Sequence, residues 1–334
     1  MEALQLPAHA RMGMSLEMVQ RARMEGEDTL LLPLNYRCNS RCRFCIIETE
    51  IAARFEDTDL DVFEEVFAYN ARARRFSRLT ISGAESTLHP ALESLARAAT
   101  TRGGFEVVRI QTNGRKLRDR RLVERLMDAG VREYFVSIHA HTAELDAQIT
   151  QSSRSFEQMS AGVAHLVALG ARVVSNSVIS ADNGPHLTDI ARFLVGLGIR
   201  ESQLWSFLEI GASAGQGDQL VSFDTSLHPL LGAMEVFEAA GTEVVVKWLP
   251  RCLLGRFADR LDNHQPQMLI RDEFQARLSD HFGFDCAHAS SCRWFGRGCD
   301  GLHESYVRAF GDESGRLRPE PLLPGMRPIR GGPR

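Results

Sequence analysis

The chain has 334 residues, 44% of them hydrophobic and 25% charged, with a formal net charge of −4. This is ordinary globular composition, with length enough for one large α/β domain and a smaller piece. The mildly acidic balance carries no nucleic-acid footprint. No apolar run reaches the ~20 residues that span a bilayer, and Met1 to Met24 lack the apolar core of a secretory signal. The expectation is a cytoplasmic protein without membrane or nucleic-acid partners, whose seven cysteines read as metal ligands or catalytic groups before disulfides.

In chain order, residues 12–24 predict a short helix covering one end of the domain. Thr29 to Leu34 reads as the first strand and leads into Cys38, Cys42 and Cys45. Residues 59–73 predict a helix with Leu60, Phe63, Val66 and Phe67 on one face, capped by Asp59 or Thr58. Strands follow at Arg78 to Ile81 and Glu106 to Gln111. A pattern then repeats, in which a helix ends at a glycine and a β-branched or aromatic strand follows. The helices are 118–129, 156–169, 187–197 and 228–240. Their stops are Gly130, Gly170, Gly198 and Gly241, and the strands are Glu133 to Ile138, Arg172 to Ile179, Ser202 to Leu208 and Glu243 to Trp248. Glycine just past a helix supplies the left-handed residue that ends it. About six βα units in series imply a parallel sheet with right-handed crossovers. An open doubly wound sheet and a barrel both fit, but the turn after the first strand lacks G-x-G-x-x-G, so a dinucleotide fold has no local support.

Cys38, Cys42 and Cys45 are spaced C-x3-C-x2-C. Several thiolates on one short loop can surround a soft metal centre. Structural zinc sites and complete Fe–S sites usually take four protein ligands, so a local set of three leaves one iron of a cubane open. The residues alone leave a zinc knuckle completed from elsewhere, or buried thiols without metal, as alternatives. The segment Asn35-Tyr-Arg-Cys38-Asn39-Ser-Arg-Cys42-Arg-Phe44-Cys45, with aromatic Phe44 before the third cysteine, resembles the cluster loop of the radical S-adenosylmethionine (SAM) superfamily. That resemblance implies an α/β fold, a partial (β/α)6 TIM-type barrel. Chemistry in such barrels collects at the C-terminal ends of the strands, which should therefore carry polar or glycine-rich residues.

They do. Gly83-Ala84-Glu85-Ser86 after the second strand resembles the superfamily's G-G-E-P segment, with Ala84 in place of a glycine and Ser86 in place of the proline. The resemblance implies that its backbone and Glu85 hold the SAM amino group; read without it, the segment is a loop ending in a helix cap before Pro90. Thr112-Asn113-Gly114 resembles the T-N-G turns found at this place in the superfamily, although Asn-Gly forms turns anywhere. Ser137 and His139 lie on the fourth strand, with His141 beyond. On the fifth, Ser175 and Ser177 face one way and Asn176 the other. Asn176 is the preferred SAM ribose contact and Ser137 a weaker one. His139 is either structural or a substrate contact. Trp205 on the sixth strand is a candidate cofactor contact, and the glycines at 211, 215 and 217 either approach adenine or substrate or form a flexible link.

Cys252, Cys286, Cys292 and Cys299 are spaced C-x33-C-x5-C-x6-C, enough to close a second cluster or a zinc site. The region from Cys299 to Gly311 resembles the short auxiliary-cluster (twitch or SPASM-like) extensions of the superfamily, and His288 or His303 is a possible substitute ligand. The implied organisation is an N-terminal extension at 1–27, a barrel core at 28–215, a small irregular cysteine-containing extension at 216–312, and a Pro- and Arg-rich tail at 313–334, irregular or mobile.

The resemblance implies the following activity. Cys38, Cys42 and Cys45 hold a 4Fe–4S cluster whose open iron binds SAM. An electron from a low-potential donor such as flavodoxin or ferredoxin cleaves SAM to methionine and a 5′-deoxyadenosyl radical, which abstracts hydrogen from a substrate. A second 4Fe–4S cluster on the C-terminal cysteines would anchor substrate or accept an electron. The short extension, and the expectation that the 37 residues before Cys38 leave no room for a peptide-recognition domain, favour a small-molecule substrate over a ribosomally made peptide. The rival from another class is a non-enzymatic zinc-binding scaffold. A zinc hydrolase fits poorly, because neither H-E-x-x-H nor H-x-E…C-x-x-C is present.

Overall fold

The computed structural model describes residues 7–15, 28–47, 53–215 and 217–329. Seven strands, β1 (Thr29–Asn35), β2 (Arg78–Gly83), β3 (Val107–Thr112), β4 (Val131–Ser137), β5 (Arg172–Ile179), β6 (Glu201–Ser206) and β7 (Glu243–Lys247), pair in parallel with their sequence neighbours. A two-residue β8 (Gln267–Met268) adds in parallel beyond β1, giving the order β7-β6-β5-β4-β3-β2-β1-β8. The sheet curls into a partial barrel with open edges. It has seven full strands where the sequence reading counts about six units.

Helices cross between strands: α2 (Leu60–Ala73), α3 (Leu92–Thr101), α4 (Arg120–Asp128), α5 (Ala143–Thr150), α6 (Ser155–Ala168), α7 (Leu187–Gly196) and α8 (Phe223–Ala240). α1 is Ala8–Arg11; of the helix expected over 12–24, residues 12–15 form a turn and bridge, and 16–24 lie outside the described residues. Asp59 caps α2 by accepting from the Asp61 N–H at 3.0 Å, as its side chain predicts. α3 and α5 escape the sequence reading. The buried face of α3 is mostly alanine (Ala96, Ala98, Ala99), which gives little apolar contrast, and α5 is barely two turns long.

Alternation along the strands sorts the two faces. Leu79, Ile81, Val108, Ile110, Val136 and Leu204 are buried under the helices. The inner face carries Arg109, Gln111, Asn176, Gln203 and Trp205. Its floor is a charge cluster: Glu133, 1% exposed, accepts from Arg78 at 3.1 Å, from Arg172 at 3.1 Å and from Arg109. A carboxylate this deep is tolerable only with such pairing. After β7 the chain runs through 3-10 turns to β8, then α9 (Asp272–Ser279), an antiparallel pair β9 (Phe284–Asp285) and β10 (Leu302–His303), and α10 (Glu304–Phe310). No helix among the described residues is long and apolar enough to cross a membrane.

Candidate active site

The three-cysteine loop leaves β1 at Asn35 and is fastened by residues beyond four other strands. At the end of α5, the Thr150 and Ile149 carbonyls accept from the N–H groups of Arg41 and Arg43, both at 3.0 Å. Arg115, after β3, donates to the Asn39 carbonyl, to Ser40 Oγ at 3.0 Å and to Gln158 Oε1 at 2.8 Å. Arg43 reaches across to Asp182 after β5 (2.8 and 2.9 Å) and Asp218 after β6 (2.6 Å). Phe44 is buried, its ring edge-to-face with His139 at 4.7 Å and packed among Ala140, Leu145 and Phe207.

All seven cysteines are free thiols. Burial pushes the Cys38 thiol up to about 11 and also raises Cys42 and Cys45. The proximity of Cys45 raises both Cys38 and Cys42 further. Without a cation such thiols stay protonated at neutral pH, and a bound metal centre would displace the protons. Backbone N–H groups already point at sulfur, Ser40 at Cys38 and Ile47 at Cys45, each 3.4 Å away. The donor set, three free thiols on one short loop with backbone N–H groups beside two of the sulfurs, fits a multi-iron cluster.

The Gly83–Ser86 segment is knitted to the end of β1. Gly83 has φ +134, and a Cβ there would lie 2.5 Å from the Asn35 carbonyl oxygen, so only glycine allows the approach. The Ala84 N–H donates to that carbonyl at 3.0 Å, and Asn35 Nδ2 donates to the Glu85 carbonyl at 2.9 Å. Glu85 is wholly buried. Its Oε1 accepts from Thr112 Oγ1 at 2.7 Å, Thr87 N at 3.1 Å and Thr87 Oγ1 at 2.5 Å; its Oε2 accepts from Asn113 N at 2.7 Å. Burial nonetheless raises its pKa. Through these bonds the carboxylate locks the Thr112–Gly114 turn to the loop. The half-exposed parts of the segment are Gly83 and Ala84. Ser86 is also turned inward, donating to the Gln111 carbonyl at 2.9 Å. Asn113 bridges onward, its Nδ2 2.7 Å from Asn39 Oδ1 and 3.7 Å from Cys38 Sγ.

On the inner face, Asn176 is 5% exposed and its Nδ2 is buried with no hydrogen-bond partner. An unpaired buried amide is costly, so this donor is suited to a ligand oxygen. Ser137 is its register partner on β4 and Gln203 its partner on β6. Ser175 and Ser177 face the other way, to Ser202 Oγ at 2.9 Å and to the Ile138 carbonyl. Trp205 donates to Gln203 Oε1 at 2.9 Å and lies between Phe135 and Trp248, at 5.9 and 5.1 Å. His139 is structural: its Nδ1 accepts from Val178 N at 3.2 Å, and burial alone lowers its pKa to about 4.

Sequence reasoning missed Asn35, Arg43, Arg115, Asp182 and Lys247. Lys247, on the inner face at the end of β7, is buried, donates to the His264 carbonyl and lies 5.8 Å from the Trp205 ring. Burial lowers its pKa. A lone lysine closing the apolar run Val244-Val245-Val246 was the available signal.

Cys252, Cys286, Cys292 and Cys299 all line one small cavity with His288, Trp294, Leu317 and Glu320. Burial pushes the Cys299 thiol up to about 11 and raises Cys252 and Cys286, with the neighbouring thiols adding to each. Arg251 N and His288 N donate to Cys299 and Cys286 Sγ, each at 3.4 Å. His303 is withdrawn as a substitute ligand, because both ring nitrogens are engaged at 2.7 Å, with Ser305 Oγ and the His281 carbonyl. Part of the tail is ordered against this cavity: Leu317 is 2% exposed, and Arg293 N donates to the Glu320 carbonyl at 2.9 Å. Among the described residues, the one group with three metal-ligating atoms within 4.8 Å of one another is His141, His186 and Asp189.

A loop of three thiols over the strand ends of a curled parallel sheet defines a class, and the class has a name. Residues 32–194 match the family model of the Radical SAM superfamily. The superfamily implies a 4Fe–4S cluster and SAM as cofactors. The GTP 3′,8-cyclase of Aquifex aeolicus is 27% identical over 176 residues, covering 51% of this chain and 53% of that protein. The chain spans about half the length of the curated relatives it matches. Among solved structures, native anSMEcpe with bound AdoMet and Cp18Cys peptide aligns with TM-score 0.53 and 13% identity, covering 65% of this chain and 62% of that one. Coproporphyrinogen III oxidase (HemN) from Escherichia coli aligns with TM-score 0.50 and 15% identity, covering 68% and 56%. At these identities the shared feature is the fold.

Proposed function

We propose that this chain is a radical SAM enzyme acting on a small metabolite in a biosynthetic pathway, with Cys38, Cys42 and Cys45 holding the 4Fe–4S cluster. When bound, the cluster and SAM supply a one-electron reductive cleavage that yields a hydrogen-abstracting radical. The observation that carries the reading is the trio of free thiols on one short loop clamped across the strand ends, above an inner face where the Asn176 Nδ2 has no partner.

The chain's own residues have distinct parts. Arg43 and Arg115 hold the loop in place, which is the preorganisation such chemistry requires. Glu85 fixes the Asn113 turn, and the backbone of Gly83 and Ala84 is left to meet the SAM amino group. Asn176 donates to a ribose oxygen, with Ser137 beside it. Trp205 and Lys247 form the far wall, where Lys247 suits an anionic substrate group. The small-metabolite reading draws support from relatives named GTP 3′,8-cyclase. We assign an auxiliary 4Fe–4S cluster to Cys252, Cys286, Cys292 and Cys299, supported by the one cavity that all four line.

The test is SAM turnover. Anaerobically reconstituted protein given SAM and dithionite should form 5′-deoxyadenosine and methionine. The variant with Cys38, Cys42 and Cys45 changed to Ala should form neither. Wild-type protein with a full complement of iron that leaves SAM intact would overturn the proposal.

A further inference from the structure

We infer that His141, His186 and Asp189 form a third metal site, for a single divalent transition ion such as zinc, separate from both cysteine sets. His141 stands in the loop between β4 and α5, His186 ends the 3-10 turn after β5, and Asp189 lies in the first turn of α7. Their ligand atoms lie within 4.8 Å of one another. A tetrahedral ion with bonds of about 2.0–2.1 Å needs its nitrogen and oxygen ligands roughly 3.4 Å apart, so small side-chain rotations bring the three together. Two imidazoles and one carboxylate are a borderline donor set that leaves a position open to water or another ligand.

A second observation points the same way. His141 Nδ1 is buried and has no hydrogen-bond partner, although such groups are normally satisfied. The imidazoles are already juxtaposed, with ring centroids 5.6 Å apart and planes tilted by 40°. The two loops are pre-set by Asn183, whose Nδ2 donates to the His139 carbonyl at 2.9 Å and whose carbonyl accepts from His186 N at 2.9 Å. Asp189 pairs with Arg192 through one oxygen at 2.7 Å. Arg192 is 65% exposed, so it yields readily to an ion. The consequence is mechanical: the ion would tie the β4 loop to the segment carrying Asp182, the carboxylate that grips Arg43 of the three-cysteine loop.

The test uses the reconstituted holoprotein, purified without a polyhistidine tag, so that cluster iron occupies the cysteines. After exposure to Zn²⁺ and desalting, elemental analysis should find about one zinc per chain and a raised Tm. His141→Ala and His186→Ala should abolish both effects. Asp189→Ala, at an exposed position, should lower zinc affinity at least tenfold with an unchanged circular dichroism spectrum, which keeps the test decisive if a histidine variant folds poorly. Replacing Cys38, Cys42 and Cys45 should leave this zinc in place. Cobalt at the site should show ligand-field bands without thiolate charge transfer. Failure of the wild type to retain zinc, or retention unaffected by all three substitutions, would overturn the inference.

Discussion

The two cysteine sets hold their sulfurs in opposite ways. The barrel set lies within eight consecutive residues, Cys38 to Cys45, and is positioned from outside by α5, Arg115, Asp182 and Asp218. The C-terminal set draws on residues from Cys252 to Cys299, in a region of short elements, and is walled by the tail residues Leu317 and Glu320. In the first, a rigid scaffold places a local motif, as catalysis needs. In the second, the cavity is assembled by the cysteines' own segments, so on our reading the metal centre itself contributes to folding there. The barrel should then keep its fold and chemistry without the C-terminal centre.

The largest predicted effect breaks the sets apart. Changing Cys252, Cys286, Cys292 and Cys299 to Ser should remove about four irons per chain and lower the stability of the C-terminal region, while 5′-deoxyadenosine formation persists. Loss of SAM cleavage in a folded variant would show the two regions to be coupled. Next comes Gly83→Ala. With φ +134 and the Asn35 carbonyl 2.5 Å from the new Cβ, it should cost about 3 kcal/mol in urea unfolding and disturb only the barrel site.

A comparable effect should appear with pH. His139 has its pKa lowered to about 4 in the fold, from an ordinary 6.5. Its contribution is complete above pH 6.5 and is lost as pH falls towards 4, because the unfolded chain takes up the proton first. The loss should total about 3 kcal/mol, and His139→Gln should flatten that part of the stability profile. The smallest effect is Asn176→Ala, which should weaken SAM binding about tenfold by removing one donor without altering iron content. Unchanged affinity would remove Asn176 from the SAM site.

Much of the barrel was legible because strand and helix periods differ and glycine marks the stops. Arg172–Ile179 is bounded as its β-branched run suggests, and the opposed directions of Ser175 and Asn176 follow from alternation alone. The two-residue β8 was not legible, since two residues carry no period. The inward turn of Glu85 was hidden because its partners Thr112 and Asn113 arrive from another strand tip. The roles of Arg43 and Arg115 were hidden for the same reason, since their partners lie beyond other strands, and His141 and His186 meet only because β4 and β5 are neighbours.

The most direct test of the central claim is iron and acid-labile sulfide per chain after anaerobic reconstitution, in the wild type and in the variant with Cys38, Cys42 and Cys45 changed to Ala. The account predicts about eight irons falling to about four, with sulfide in parallel. Zinc without iron in the reconstituted wild type would contradict it and leave a metal-bound scaffold in its place.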